Sequence, residues 1–268
     1  MKKLMIALLA ISMSASVFAE KKPKPEELLL MIEALQAQVT ELQAQVDGNS
    51  VGITTFEDLL DGMYRDDSSG YDTLVFTGMN LQLVNGTGST DGTSLDAEGT
   101  GNLIIGYNHS RDWAENIRTG SHNLVIGDLN NYTANSFGGM VVGLYNEIDG
   151  RYASVSGGKF NTASGEGSSV SGGYDNEASG HASSVSGGLY NDASYGYSSV
   201  SGGRDNTASG YISSISGGWR NTASGLNSFV SGGQDNTASG WNSSVSGGYQ
   251  RTARGRSDWR AGSLFEDY

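Results

Sequence analysis

"NTASGYISSISGGWRNTASGLNSFVSGG", Asn206–Gly233, states one phrase twice. Ser, Gly, Ala and Asn return at fixed places, whereas pairs such as Tyr211-Ile212 and Trp219-Arg220 vary freely. Aligned on its last glycine, the phrase ends at Gly106 ("NLIIG"), Gly127 ("NLVIG"), Gly143 ("MVVG") and Gly158 ("SVSGG"). It returns at Gly173, Gly188, Gly203, Gly218, Gly233 and Gly248, so the intervals are 21, 16 and then 15 residues throughout. Ten copies at a short fixed period are the signature of a solenoid, in which each coil buries its faces only against its neighbours. The long first interval holds an insertion, "SRDWAENIR" (110–118), expected to loop out.

A 15-residue coil has room for two short strands and two tight turns. One strand centres on Val155, Val170, Val185, Val200, Ile215, Val230 and Val245, the other on Ala163, Ala178, Ala193, Ala208, Ala223, Ala238 and Ala253. Strand alternation turns Ser169 and Ser171 outward and predicts that Gly172 falls inward, with Gly173 at a corner that excludes a side chain. Asn161, Asn176, Asn191, Asn206, Asn221 and Asn236 recur at one place per coil, where stacked amides satisfy the turn from coil to coil. The invariant letters therefore line the coil and its corners, and the free pairs are turn tips facing water. The interior is thin, one Val and one Ala per coil. The early coils add Ile104, Ile105, Val125, Ile126, Val141 and Val142, so that end is expected to pack better. Trp259, Leu264 and Phe265 in the closing "RSDWRAGSLFEDY", which is expected to break the period, are candidates to cover the last open edge.

Upstream, Leu28, Ile32, Leu35, Val39, Leu42 and Val46 are spaced 4-3-4-3-4, a heptad seam. Its flanking positions are Gln36, Gln38, Gln43 and Gln45, which carry no charge to select a different partner, so the seam suits a parallel homo-oligomer and leaves dimer and trimer open. Gly48 is the expected helix stop. Between the helix and the repeats, "MNLQLVNG" alternates Met79, Leu81 and Leu83 and reads as a strand. Asp66, Ser68, Gly70 and Asp72 alternate in a polar loop that lacks the closing bidentate Glu of a calcium loop, so it reads as a solvated turn.

Composition bounds the rest. The chain has 268 residues, 40 Gly, 2 Pro and no Cys, which excludes a disulfide scaffold and thiolate chemistry. Lys2 and Lys3, the apolar run Leu4–Leu9 and Val17-Phe18-Ala19 read as a secretory signal. The net charge is −13, yet Arg151–Gly255 holds Arg151, Lys159, Arg204, Arg220, Arg251 and Arg254 against Glu166, Asp175, Glu177, Asp192, Asp205 and Asp235. Neutral repeats and an acidic remainder argue against a nucleic-acid partner. The expected organisation is a signal peptide (1–19), a linker (20–25), a coiled-coil helix (26–48), an irregular polar and β connector (49–101), β-roll repeats (102–255) and a C-terminal cap (256–268). The fold class is mainly β: a parallel β-roll or solenoid of about ten coils preceded by a coiled-coil helix.

The "SVSGG" phrases at Ser154, Ser169, Ser184 and Ser199, with "NTASG" at Asn161, Asn206, Asn221 and Asn236, resemble the YadA-like head repeats of trimeric autotransporter adhesins. That resemblance spans about 102–255 and implies a left-handed parallel β-roll, a homotrimer and an exported surface protein that binds host or matrix partners. The chain departs from the family in carrying its coiled coil first, in Gly157 and its equivalents where the family has an aliphatic, and in showing no terminal strands for a barrel anchor. No transmembrane anchor is expected.

The functional expectation is an exported, non-enzymatic, adhesin-like or extracellular structural protein. Its destination is the cell surface or medium, with the periplasm as the alternative. Tyr174, Tyr190, Tyr211, Trp219, Trp241 and Tyr249 are candidate contacts for protein or glycan, and no cofactor is expected. An ice- or crystal-binding surface is the alternative, weakened because the column Thr162, Thr207, Thr222, Thr237, Thr252 is interrupted by Glu177 and Asp192. A polysaccharide-acting enzyme needs paired carboxylates at one locus. Asp175, Asp205 and Asp235 instead fall on alternate coils, and His109, His122 and His181 lack metal-ligand spacing.

Overall fold

The structure, a computed structural model, describes residues 24–262 except 69, 87, 89 and 91–98, and for 49–60 the backbone alone. The expected signal peptide, Leu264 and Phe265 lie outside the described residues. The chain forms two units, divided at Leu81 and Gln82.

The first unit holds helix α1 (Pro25–Leu60) and an antiparallel hairpin of β1 (Met63–Asp66) and β2 (Thr73–Phe76). Glu26 and Glu27 sit in the first turn of α1, where carboxylates suit the helix dipole. The helix runs through Gly48, which does not adopt the left-handed conformation of a helix stop. That conformation appears at Gly62 (φ 82), the residue immediately before β1. A mid-helix glycine costs only about 1 kcal/mol, which a 36-residue helix absorbs. Leu28, Ile32, Leu35, Val39, Leu42 and Val46 are 43–61% exposed among the described residues, so the seam is open. Met79–Leu83 is not a strand; Met79, Leu81 and Leu83 are exposed and no neighbouring strand pairs with them. Asp66–Asp72 is the hairpin turn, closed by the Ser68 N–H donating to Asp66 Oδ1 (2.8 Å) and by the Arg65–Asp72 ion pair.

The second unit is the expected parallel β-solenoid. Its first sheet has eleven strands: β3 (Leu103–Ile105), β4 (Leu124–Asp128), β6 (Met140–Leu144), β8 (Ser154–Val155), then the even-numbered strands to β22 (Trp259–Arg260). The second has nine: β5 (Asn131–Tyr132), β7 (Glu147–Ile148), β9 (Thr162–Ala163), then the odd-numbered strands to β21 (Thr252–Ala253). Nine coils therefore carry both strands. Identical positions pair from coil to coil, as in Ser169↔Ser184 and Ala178↔Ala193. A third ladder runs through the first turn, where Lys159, Tyr174, Leu189, Arg204, Trp219, Gln234 and Tyr249 bridge one to the next. The first residue of each first-turn pair is thus held by its backbone, and only its side chain is free.

The core is the expected double column. Val155, Val170, Val200 and Val230 on one strand and Ala163, Ala178, Ala193 and Ala208 on the other are 0–1% exposed. The early coils do not carry a thicker core of aliphatics. Val125 and Val141 are fully buried, but Ile105, Ile126 and Val142 face outward by strand alternation, and Ile104 lies 45% exposed at the open end. Tyr132, Phe137 and Ile148 fill that end instead. Gly172 does not point inward: a Cβ there would meet only the Gly157 backbone, 3.9 Å away. Crowded glycines recur at both turns, as at Gly173 (φ 90) and Gly210, whose Cβ atoms would strike the carbonyl oxygens of Gly188 and Gly225 in the next coil.

Nor does the period break at residue 256. Trp259 and Arg260 pair with Ser244 and Val245, one full period on. An Arg side chain stands where the preceding coils place the core Val, and β22 is exposed at both residues. The insertion 110–118 does not loop out either. Arg111 donates to the carbonyls of Leu129 (2.7 Å) and Asn146 (3.0 Å) and pairs with Glu147, while Trp113 stacks on Tyr145 at 5.2 Å. Burial pushes the Arg111 guanidinium below its usual pKa, against the pull of Glu147.

Candidate binding surfaces

The asparagine ladder fixes where everything else points. Each side chain is buried and serves three neighbours: Asn161 Nδ2 donates to the carbonyls of Gly157 and Gly173 (both 3.1 Å), and its Oδ1 accepts the backbone N–H of Asn176 (3.0 Å). The bonds run mainly from amide to backbone, with amide–amide contacts added at Asn176 and Asn206. The ladder starts earlier than the six asparagines of the regular repeats, through Asn108, Asn130 and Asn146. The signal was an Asn two or three residues after Gly106, Gly127 and Gly143. Arg251 ends it, its N–H bound to Asn236 Oδ1 at 2.9 Å. A second buried column, Ser168, Ser183, Ser198, Ser213, Ser228 and Ser243, escaped the sequence reading. Its signal was the residue before the outward Ser, which stays Ser even where Phe229 replaces that neighbour.

Each coil then turns twice through a residue of positive φ. The first turn places Asp175, Tyr190, Asp205, Arg220, Asp235 and Gln250 there, and the second Ala182, Tyr197, Ile212, Asn227, Asn242 and Ser257. These residues donate backward, as Asp175 N–H does to Lys159 O (3.0 Å) and Ala182 N–H to Glu166 O (2.8 Å). The turn tips are therefore rigidly spaced, and the six aromatic candidates divide between two edges. Tyr174, Tyr190, Trp219 and Tyr249 lie on the first-turn edge, Tyr211 and Trp241 on the second.

Four of the six are engaged with neighbours. Trp113, Tyr145, Phe160, Tyr174 and Tyr190 form a chain of ring contacts at 5.0–6.0 Å, with Lys159 4.7 Å over Phe160. Tyr211 packs edge-on against Tyr195 and Tyr197. Trp219 donates its indole N–H to Asp205 (3.0 Å), and Arg220 covers its ring at 4.8 Å. Trp241 and Tyr249, 60% and 56% exposed, make no ring contact among the described residues. Sequence alone ranked all six alike, because ring-on-ring contact depends on which turn each residue occupies.

The sheet faces are hydroxyl-bearing. Thr207, Thr222, Thr237 and Thr252 are in unbroken register on the second sheet. Farther back, Glu177 and Asp192 stand one above the other in the same column. Burial, with Glu177 adding its charge, pushes the Asp192 carboxyl up, and its Oδ1 is buried without a hydrogen-bond partner. Among the described residues the three histidines are apart: His109 pairs with Asp128 (2.9 Å), His122 lies beside Ser121, and His181 packs on Tyr197. Asp205 is bound by Arg204 and Trp219, and Asp235 by Gln234. No described helix is long and apolar enough to cross a membrane.

No protein-family model matches this chain, and no curated protein matches it. The parallel β-solenoid stands on the structure alone.

Proposed function

We propose that the chain is an exported, non-enzymatic surface or matrix protein, held as a homo-oligomer by α1, that displays its solenoid edges to protein or glycan partners. The observation that carries this reading is where variation is allowed. The positions that fill the interior column or the asparagine ladder repeat from coil to coil, whereas variable and aromatic side chains project from turns that the backbone holds at one coil spacing. Trp241 and Tyr249 are the contacts of choice, since a free indole or phenol face suits sugar rings and apolar protein surfaces. The exposed, uncharged heptad seam supports self-association, and the resemblance to adhesin heads favours a trimer.

The test is binding of the full-length chain to immobilised glycans and matrix proteins, beside light scattering of the same sample. Binding that falls at least tenfold in Trp241→Ala and Tyr249→Ala, but not in Ser186→Ala, supports the reading. A monomer that binds nothing on either array refutes it. The in-register threonines from Thr207 to Thr252 favour a hydroxyl-lattice surface as the second reading, which Thr222→Val and Thr237→Val would abolish while Trp241→Ala would not.

A further inference from the structure

The first three strands of the first sheet differ from all that follow. "LII" in β3, "LVI" in β4 and "MVV" in β6 are unbroken aliphatic runs, whereas β8 to β20 read Ser-Val-Ser or Ser-Ile-Ser, with Phe229 opening β18 and Trp259-Arg260 ending the series. A parallel strand with continuous aliphatics is the pattern of a strand covered on both faces. One face is accounted for, because Val125 and Val141 fill the core at 0% exposure. The other face carries Leu103, Ile105, Leu124, Ile126, Met140 and Val142 in two columns, locked in register by Leu103↔Leu124↔Met140 and Ile105↔Ile126↔Val142. Leu103 and Ile105 are 42% and 51% exposed, and the other four are half-buried. At Ser154 the same columns turn to serine, so the panel has a sharp boundary.

We propose that this six-residue aliphatic panel is a self-association face, covered by a second copy of this chain. Three observations favour a second copy over a foreign partner. The panel bears no charge, in a chain whose acidic residues outnumber its basic ones 29 to 16, so it is the surface on which two copies meet without repulsion. Its side chains stand in register and are all aliphatic, so one copy offers another the same kind of surface that it presents itself. The exposed seam of α1 is uncharged at its flanks and self-complementary too, and a copy tethered through it is present at millimolar effective concentration. This inference rests on the oligomeric reading of α1 and adds a second, separate contact to it.

The test uses the full-length chain with Ile105→Ser, Ile126→Ser and Val142→Ser combined, serine being what later coils carry in that column. Sedimentation over a range of concentrations should show at least a tenfold weaker assembly, with unchanged circular dichroism. A native-like variant with the wild-type dissociation curve overturns the panel and leaves the α1 reading standing. A wild-type chain that is monomeric throughout removes both. Because the chain has no cysteine, Ile126→Cys and Thr222→Cys each supply a single thiol that does not depend on the triple variant folding. The Ile126→Cys thiol should react with a maleimide at least tenfold more slowly than Thr222→Cys in the oligomer, and its rate should rise when Ile32, Val39 and Val46 are changed to Asp. An Ile126→Cys rate that ignores assembly overturns the proposal.

Discussion

Replacing Asn206 by Ala tests whether polar ladders, more than apolar packing, hold this solenoid. Asn206 is 0% exposed. Its Nδ2 donates to Gly202 O and Gly218 O (both 3.0 Å) and to Asn191 Oδ1 (3.1 Å), and its Oδ1 accepts the Asn221 N–H (3.0 Å). After truncation Gly218 O keeps the Arg204 N–H (2.9 Å), and Asn191 Oδ1 keeps the Asn206 backbone N–H (3.1 Å). Two groups are then stripped, the Gly202 carbonyl and the Asn221 N–H. At about 1–3 kcal/mol for each buried orphan, the loss is about 3–4 kcal/mol. Val200→Ala removes two methyl groups' worth of burial, about 2 kcal/mol with its small cavity. Hydrogen exchange of the full-length chain, read on peptides across residues 191–225, compares the two locally. The asparagine variant should exchange at least a hundredfold faster than wild type there, and several-fold faster than the valine variant. A milder effect in Asn206→Ala than in Val200→Ala would refute the reasoning.

Three further outcomes follow from particular residues. Asp192→Thr restores the residue of its column and should stabilise the solenoid by about 1 kcal/mol at pH 7 by removing a desolvated carboxylate that stands beside Glu177. Because the Asp192 carboxyl is pushed up on folding, the folded chain takes up its proton more readily than the unfolded one. Wild-type stability therefore falls as pH rises from the ordinary Asp range, and urea titrations of the two proteins should converge below about pH 3.5. Ile212 is β-branched at φ 56, so Ile212→Asn should raise thermal stability by about 1 kcal/mol in calorimetry, and a loss would show that the Ile side chain packs usefully. Gly210→Ala drives a Cβ into the Gly225 carbonyl and should cost about 2 kcal/mol or more, read as accelerated exchange at Ser209–Ser213.

Period, strand positions and core columns were legible because a solenoid writes each contact once per repeat. Identity of letter then means identity of environment, as for Val170 or Asn176. Direction was harder. Gly172 and Gly173 are adjacent residues written with the same letter, yet one is open and the other crowded by the next coil, a distinction that depends on stacking alone. The aliphatics at Ile105 and Ile126 look like core residues until register turns them outward. Arg111 and Trp113 lie in an irregular stretch whose only signal was its length, and what docks it is the carbonyl of Asn146, 35 residues away. The same limit applies to the aromatic tips, since sequence shows that Tyr174 and Trp241 vary but not that one leans on a neighbour and the other stands free.

The sameness of the joints has an evolutionary consequence. Because Asn176 binds Asn161 as Asn206 binds Asn191, any coil can follow any other, and the chain can lose or gain 15 residues in the regular region without creating a foreign junction. Near-identical repeats in the underlying gene also invite unequal recombination, which adds or removes whole units in frame. Each event would change the reach of the solenoid by one strand spacing, about 4.8 Å, and would shuffle which tips stand next to each other. Length and edge composition are thus heritable variables that can drift quickly while the coil itself stays fixed.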